Sequence, residues 1–70
     1  MGANFSENLA KLRREKKVSQ KAVAKTLGVS QALLSHYENG VREPGIDFLV
    51  KAAEYYGCSV DFLLGRTMDR

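Results

Sequence analysis

Apolar residues recur along this chain with a helical period, in short runs separated by glycines. Phe5, Leu9 and Leu12 stand at i, i+4 and i+7, one face of a helix that runs to about Lys16. Val23, Ala24 and Leu27 give a second helix. Ser19 suits its N-cap, and Gly28 suits the left-handed conformation that closes it. Only Val29 separates that stop from Ser30, a good N-cap for a third helix over Gln31 to Asn39, which Gly40 ends. Ile46, Leu49, Val50, Ala53 and Tyr56 then fall at i, i+3, i+4, i+7 and i+10, with Gly57 just beyond. They predict a fourth, amphipathic helix packed through that stripe. Ser59 caps a short fifth helix carrying Val60, Leu63 and Leu64, stopped at Gly65. No segment alternates apolar and polar residues for long enough to make a strand. The pattern predicts an all-α, compact five-helix domain.

Residues 20–39 hold two short helices joined by a tight glycine turn, the unit that lays a recognition helix in a DNA major groove. A connection this short forbids antiparallel packing and makes the second helix project from the body. At about 100° per residue, the third helix gathers Leu33, Leu34 and Tyr37 on one side and Gln31, Ala32, Ser35, His36 and Asn39 on the other. That outer side carries no acid and no bulky aliphatic residue. Any surface helix turns polar residues outward, but these are short or amide-bearing and suit base edges. Gln bonds bidentately to adenine, Ser and His donate or accept, and an Ala methyl meets a thymine methyl. Glu38 lies beside Leu34 on the inner edge, where a carboxylate needs a partner. Arg13, on the flank of the first helix, is the candidate for a structural ion pair.

Length and charge narrow the classes. Seventy residues make one domain with no spare core to enclose a deep active site. We expect residues 4–65 to form it, with 66–70 as a tail. The 44% apolar and 27% charged content is that of a folded globular protein. No apolar run approaches the length of a membrane span, and Met1-Gly2-Ala3-Asn4 lacks the order of a signal peptide. Cys58, the one cysteine, has no internal partner, reads as a small core residue and suits a reducing cytoplasm. His36 is the single histidine, and no metal-ligand spacing, phosphate loop or nucleophile motif is present. The sequence thus predicts no enzyme, metal, cofactor or small-molecule substrate. The net charge of +3 leans weakly toward an anionic partner. Within Lys11-Leu12-Arg13-Arg14-Glu15-Lys16-Lys17 five of seven residues are basic, followed by Lys21, Lys25 and Arg42. This run reads either as a solvated helix end or as a phosphate-facing patch.

A second stripe on the fourth helix, Phe48, Ala52 and Tyr55, lies with Phe62 where an exposed aromatic patch would mark an interface, unless these rings pack on their own core. Two readings follow. In one the patch joins a homodimer on DNA. In the other the domain is a protein-interaction or antitoxin-like module in which DNA binding is secondary.

Ser19-Gln20 through Ala24, Gly28-Val29-Ser30, Leu34-Ser35, Glu38-Asn39-Gly40, Pro44 and Gly57-Cys58-Ser59-Val60-Asp61-Phe62-Leu63-Leu64-Gly65 together resemble the phage-repressor, Cro and Xre family of helix-turn-helix domains. The resemblance spans residues 5–65. It implies a lambda-repressor-like five-helix fold that binds a palindromic operator as a homodimer, most often to repress transcription. It further implies that Ser30, Gln31, Ala32, Ser35 and His36 face bases, and that Gln20, Lys21, Asn39 and Arg42 hold the DNA backbone, with Gln20 also bracing Gln31. It matches the Arg13–Glu38 pair inferred from helical phase. Ala32 departs from the longer polar side chain that many relatives carry.

Overall fold

The computed structural model describes residues 3–70. Five helices follow one another: α1 (Ala3–Lys16), α2 (Gln20–Leu27), α3 (Gln31–Glu38), α4 (Ile46–Tyr56) and α5 (Val60–Leu63). Among the described residues there is no strand. The starts are set locally, as Ser19, Ser30 and Ser59 each turn a hydroxyl to accept from the backbone N–H three residues on, all at 3.0 Å. α3 stops one residue short of the expected end, with Asn39 as its C-cap. α1 ends on Lys17 with φ of 60°, a left-handed position that a glycine would occupy without steric cost.

The largest fully buried side chains of the core come one each from four helices: Leu9 of α1, Val23 of α2, Leu34 of α3 and Leu63 of α5. α4 adds Phe48, Leu49, Ala52 and Ala53. Here the structure corrects the sequence. Both stripes of α4 are apolar, so periodicity alone does not settle which one packs. The buried arc is turned about 60° from the predicted one at 100° per residue. Phe48 lies in the core at 8% exposure, while Ile46 and Val50 of the predicted packed stripe stand 64% and 41% exposed. The cause is a partner on another helix: the Phe48 ring packs on Tyr37 of α3, centroids 4.7 Å apart and planes tilted by 58°, a favoured aromatic geometry. Phe48 and Ala52 therefore do not belong to an exposed patch.

Tyr55 and Phe62, the other rings expected at an interface, are half-buried and sit under the chain's own cations. Lys16 Nζ lies 5.1 Å from the Tyr55 centroid, and the Arg70 guanidinium 5.1 Å from that of Phe62. Residues 66–70 fold back on the body. The Ser59 N–H donates to the Arg70 carbonyl at 2.9 Å, and the Arg70 guanidinium pairs with Glu15 at 3.0 Å. Asn8 of α1 donates to the carbonyls of Phe62 and Leu63 at 3.1 and 3.3 Å, which ties the end of α5 to α1. Cys58, in the turn between α4 and α5, is half-buried against the core, and burial pushes its thiol pKa up. No helix among the described residues is long and apolar enough to cross a membrane.

Candidate nucleic-acid interface

The turn between α2 and α3 is closed by a left-handed glycine, a backbone hydrogen bond and the Ser30 cap. Gly28 has φ of 75°, where a side chain strains the backbone. The N–H of Val29 then reaches back to the carbonyl of Ala24 at 3.0 Å. Ser30 is extended at φ −73° and ψ 155° and caps α3, so only residues 28–30 separate α2 from α3. At its far end Gly40 also has positive φ. A Cβ there would come within 3.2 Å of the Ser6 hydroxyl, so the end of α3 lies close against α1.

Leu34, Tyr37 and Glu38 of α3 are buried, whereas Gln31, Ala32, His36 and Asn39 are exposed and Leu33 and Ser35 lie half-buried at the edges. The exposed side is free of acids because Glu38, the only acid of α3, faces inward. Asn39 Nδ2 donates to Ser35 Oγ at 3.3 Å, which leaves the serine O–H free to donate outward. Ser30 is exposed at the N-terminal end, its hydroxyl already accepting from Leu33.

Behind this face lies a polar brace. Arg13 Nε donates to both Glu38 carboxylate oxygens, at 2.8 and 3.1 Å, and Arg13 Nη1 donates to the carbonyl of Val18 at 3.0 Å. Gln20 Nε2 adds a bond to Glu38 Oε1 at 3.1 Å. With the two side chains only 18% and 3% exposed, the pair is largely withdrawn from water, where losing one partner leaves an uncompensated charge. The brace joins α1, α2 and α3 at one carboxylate. Helical phase on α1 and α3 pointed to Arg13 and Glu38. The link from Gln20 has no such signal, because it depends on how α2 crosses α3, and it reaches Glu38 where Gln31 was expected.

Tyr56, near this brace, carries the one buried side-chain polar atom among the described residues that lacks a hydrogen-bond partner. Burial, then the Glu38 charge, raises its phenol pKa well above the ordinary value.

The basic run of α1 is split by the fold. Arg13 turns in to Glu38 and Lys16 lies over Tyr55, so it does not form one patch. Lys11, Arg14 and Lys17 remain exposed, as do Lys21 at the start of α2 and Arg42 after α3. Lys21 in the first turn of α2 and Arg42 just beyond α3 thus set exposed cations near both ends of the α2–α3 unit in sequence. Among the described residues no group of His, Cys, Asp and Glu is placed to hold a metal ion.

Comparison with known proteins places this arrangement. The family model described as Helix-turn-helix matches residues 9–63. The HTH-type transcriptional regulator YqaE of Bacillus subtilis is 40% identical over 60 residues, covering 86% of this chain and 52% of YqaE. The transcriptional regulator ImmR of the same organism is 33% identical over 63 residues, covering 90% of this chain and 50% of ImmR. The chain spans about half the length of these curated relatives. The P22 c2 repressor, solved in complex with a synthetic operator, superposes with a TM-score of 0.84 at 30% identity, covering 90% of this chain and 96% of the repressor. A transcriptional regulator from Listeria innocua gives a TM-score of 0.85 at 30% identity, covering 94% of this chain and 62% of that protein. All four carry names of regulators or repressors, and none that of an enzyme.

Proposed function

Because the chain belongs to the helix-turn-helix family, we propose that it is the DNA-reading domain of a transcriptional repressor, binding a palindromic double-stranded operator as a homodimer in the cytoplasm. The binding unit is residues 4–65, with α3 in the major groove. One observation carries the reading: α3 presents an exposed, acid-free, hydrogen-bonding side and is anchored from behind by a buried ion pair. A rigid projecting helix of this kind is what direct readout requires.

Gln31, Ala32, Ser35 and His36 face base edges, with Ser30 at the entrance of the helix. The Asn39–Ser35 bond orients the serine O–H toward acceptors such as purine N7. Lys21, Arg42, Asn39 and the remaining amide N–H of Gln20 meet phosphates, which position the domain without reading sequence. Repression is supported by the relatives, since the P22 c2 protein is a repressor solved on an operator. The aromatic patch that suggested both a homodimer contact and an interaction module is not present as one exposed surface, because Phe48 is in the core and Tyr55 and Phe62 are half-buried, each with a cation of the chain over its ring.

The test is selection of bound duplexes from a random pool at about 150 mM salt, where non-specific binding is weak. An enriched palindrome with half-sites about 10–10.5 bp apart, or a multiple of that spacing, is expected. A folded protein that enriches nothing refutes sequence-specific binding.

A further inference from the structure

Part of the basic run of α1 has no role in holding the fold. Arg14 and Lys17 are exposed, as is Lys21 in the first turn of α2, and none of these three side chains has a partner within the described chain. Glu15, the acid of the run, is paired with Arg70 and does not offset them. Lys17 is also the only non-glycine among the described residues with positive φ, at 60°, a conformation that glycine adopts freely and lysine does not. Nothing in the turn asks for a side chain there. The Lys17 N–H donates to the Arg14 carbonyl at 3.1 Å, as that of a glycine would, and the last turn of α1 already carries Arg13, Arg14 and Lys16 to meet the helix dipole. A strained position whose side chain the fold does not use points to a use outside the fold.

The turn between α1 and α2 lies beside the reading helix. The carbonyl of Val18, the residue after Lys17, accepts from Arg13 Nη1 at 3.0 Å, and the same guanidinium holds Glu38, the last residue of α3. Gln20 reaches that carboxylate at 3.1 Å. Residues 17–20 are thus tied to the end of α3, next to Asn39, which together with Gln20 is assigned above to DNA phosphates.

We propose that Lys17, with Arg14 beside it, contacts DNA phosphates and extends the backbone track of Gln20 and Lys21 across the α1–α2 turn. The left-handed backbone is retained for the cation, which a glycine would lack. The inference rests on the DNA-reading function above and adds to its phosphate side two residues outside the α2–α3 unit. A phosphate is the fitting ligand, because an ammonium on a flexible stem is a point charge that meets phosphate oxygens without fixed geometry and reads no sequence.

Lys17→Gly is the deciding variant, since it removes the cation and relieves the backbone at once and so does not endanger folding. The full chain is titrated, by fluorescence anisotropy, against a selected duplex and a random duplex of equal length across a range of salt. Lys17→Gly should raise the melting temperature yet weaken both duplexes by the same factor, roughly fivefold at about 150 mM salt, and lower the salt slope by about one. Arg14→Gln should lower the slope in the same way. Lys51→Gln, which removes an exposed and unpartnered charge on α4, should leave the slope unchanged. Unchanged affinity and slope in Lys17→Gly overturn the proposal. So does an equal loss in Lys51→Gln, which would make net charge the cause, or a loss confined to the selected duplex. If the parent binds random DNA and selects no sequence, while Lys17→Gly still lowers the slope, the phosphate track stands and sequence-specific reading falls. A parent that binds no duplex even at about 50 mM salt removes both.

Discussion

The two ends of the domain are held together by different physics. Around α3 the elements meet at a carboxylate, with Arg13 and Gln20 converging on Glu38. Around α4 they meet through apolar surface, with Phe48 against Tyr37 and with Ala52 and Ala53 buried. Apolar packing is non-directional and tolerates small rotations of a helix. A bidentate, charge-assisted contact fixes orientation as well as distance. The difference teaches where orientation matters in this molecule. The helix proposed to read base edges is oriented by a directional brace, and α4, whose inner face packs in the core, is not.

Breaking each end should expose the contrast most strongly. Glu38→Ala should cost about 3–5 kcal/mol, as for any buried pair that loses one partner. Phe48→Ala should cost a similar ~3–5 kcal/mol through the cavity it leaves. The pair of variants is informative when each is restored. Phe48→Leu should recover much of the stability, whereas Glu38→Gln should not, because a neutral amide leaves the Arg13 charge uncompensated. Denaturant melts that show Glu38→Gln as stable as the parent would show the brace to be packing rather than electrostatics.

The outer face of α3 should behave in the opposite way, with effects on binding and none on folding. Gln31→Ala should lose about 1–3 kcal/mol on the selected operator and little on random DNA, while Arg42→Ala should weaken both and lower the salt slope by about one. Equal losses on both DNAs for Gln31→Ala, in a fluorescence-anisotropy titration, would remove it from base readout.

Smaller effects sharpen the view of the end of α1, which supports the brace through the Arg13 bond to Val18. Lys17 holds a positive φ without being glycine. Lys17→Gly relieves about 1–2 kcal/mol of steric cost and forfeits part of it to the freer unfolded chain, for a net gain of about 0.5–1 kcal/mol. A lower melting temperature would mean that the lysine side chain contributes a contact worth more than the strain.

The smallest effect belongs to Tyr56. Its phenol keeps its proton in the folded state to higher pH than in the unfolded chain, because burial and Glu38 disfavour the phenolate. Above the ordinary tyrosine value of about 10 the unfolded state therefore binds fewer protons than the folded one, and stability falls as pH rises. Tyr56→Phe should flatten that alkaline decline and leave stability at pH 7 unchanged or slightly raised, since it removes an unpartnered buried hydroxyl. A parallel decline in both proteins between pH 9 and 11 would place the alkaline loss on other groups.

Much of the architecture was legible from local chemistry. A serine at each of three helix starts and a glycine after most helices are short-range signals, acting within one turn of backbone, and the structure places the caps at Ser19, Ser30, Ser59, Gly28 and Gly57. The inner and outer sides of α3 were equally readable, since only one side of that helix is apolar. Helical phase brought Arg13 and Glu38 within reach of each other because both lie at the edge of an apolar stripe.

What lay beyond the sequence was every choice between two locally equivalent options. α4 is apolar on two stripes, and only the presence of Tyr37 across the core selects Phe48 over Ile46 and Val50 for burial. The basic run of α1 reads as one block in sequence, yet helical geometry and different neighbours send Arg13 to a carboxylate and Lys16 to an aromatic face. Gln20 joins the brace because α2 crosses α3 there. Caps and periods depend on residues a turn apart and are written in the chain. The partner of an ambiguous face lies tens of residues away in sequence, and only the packed core brings it into contact.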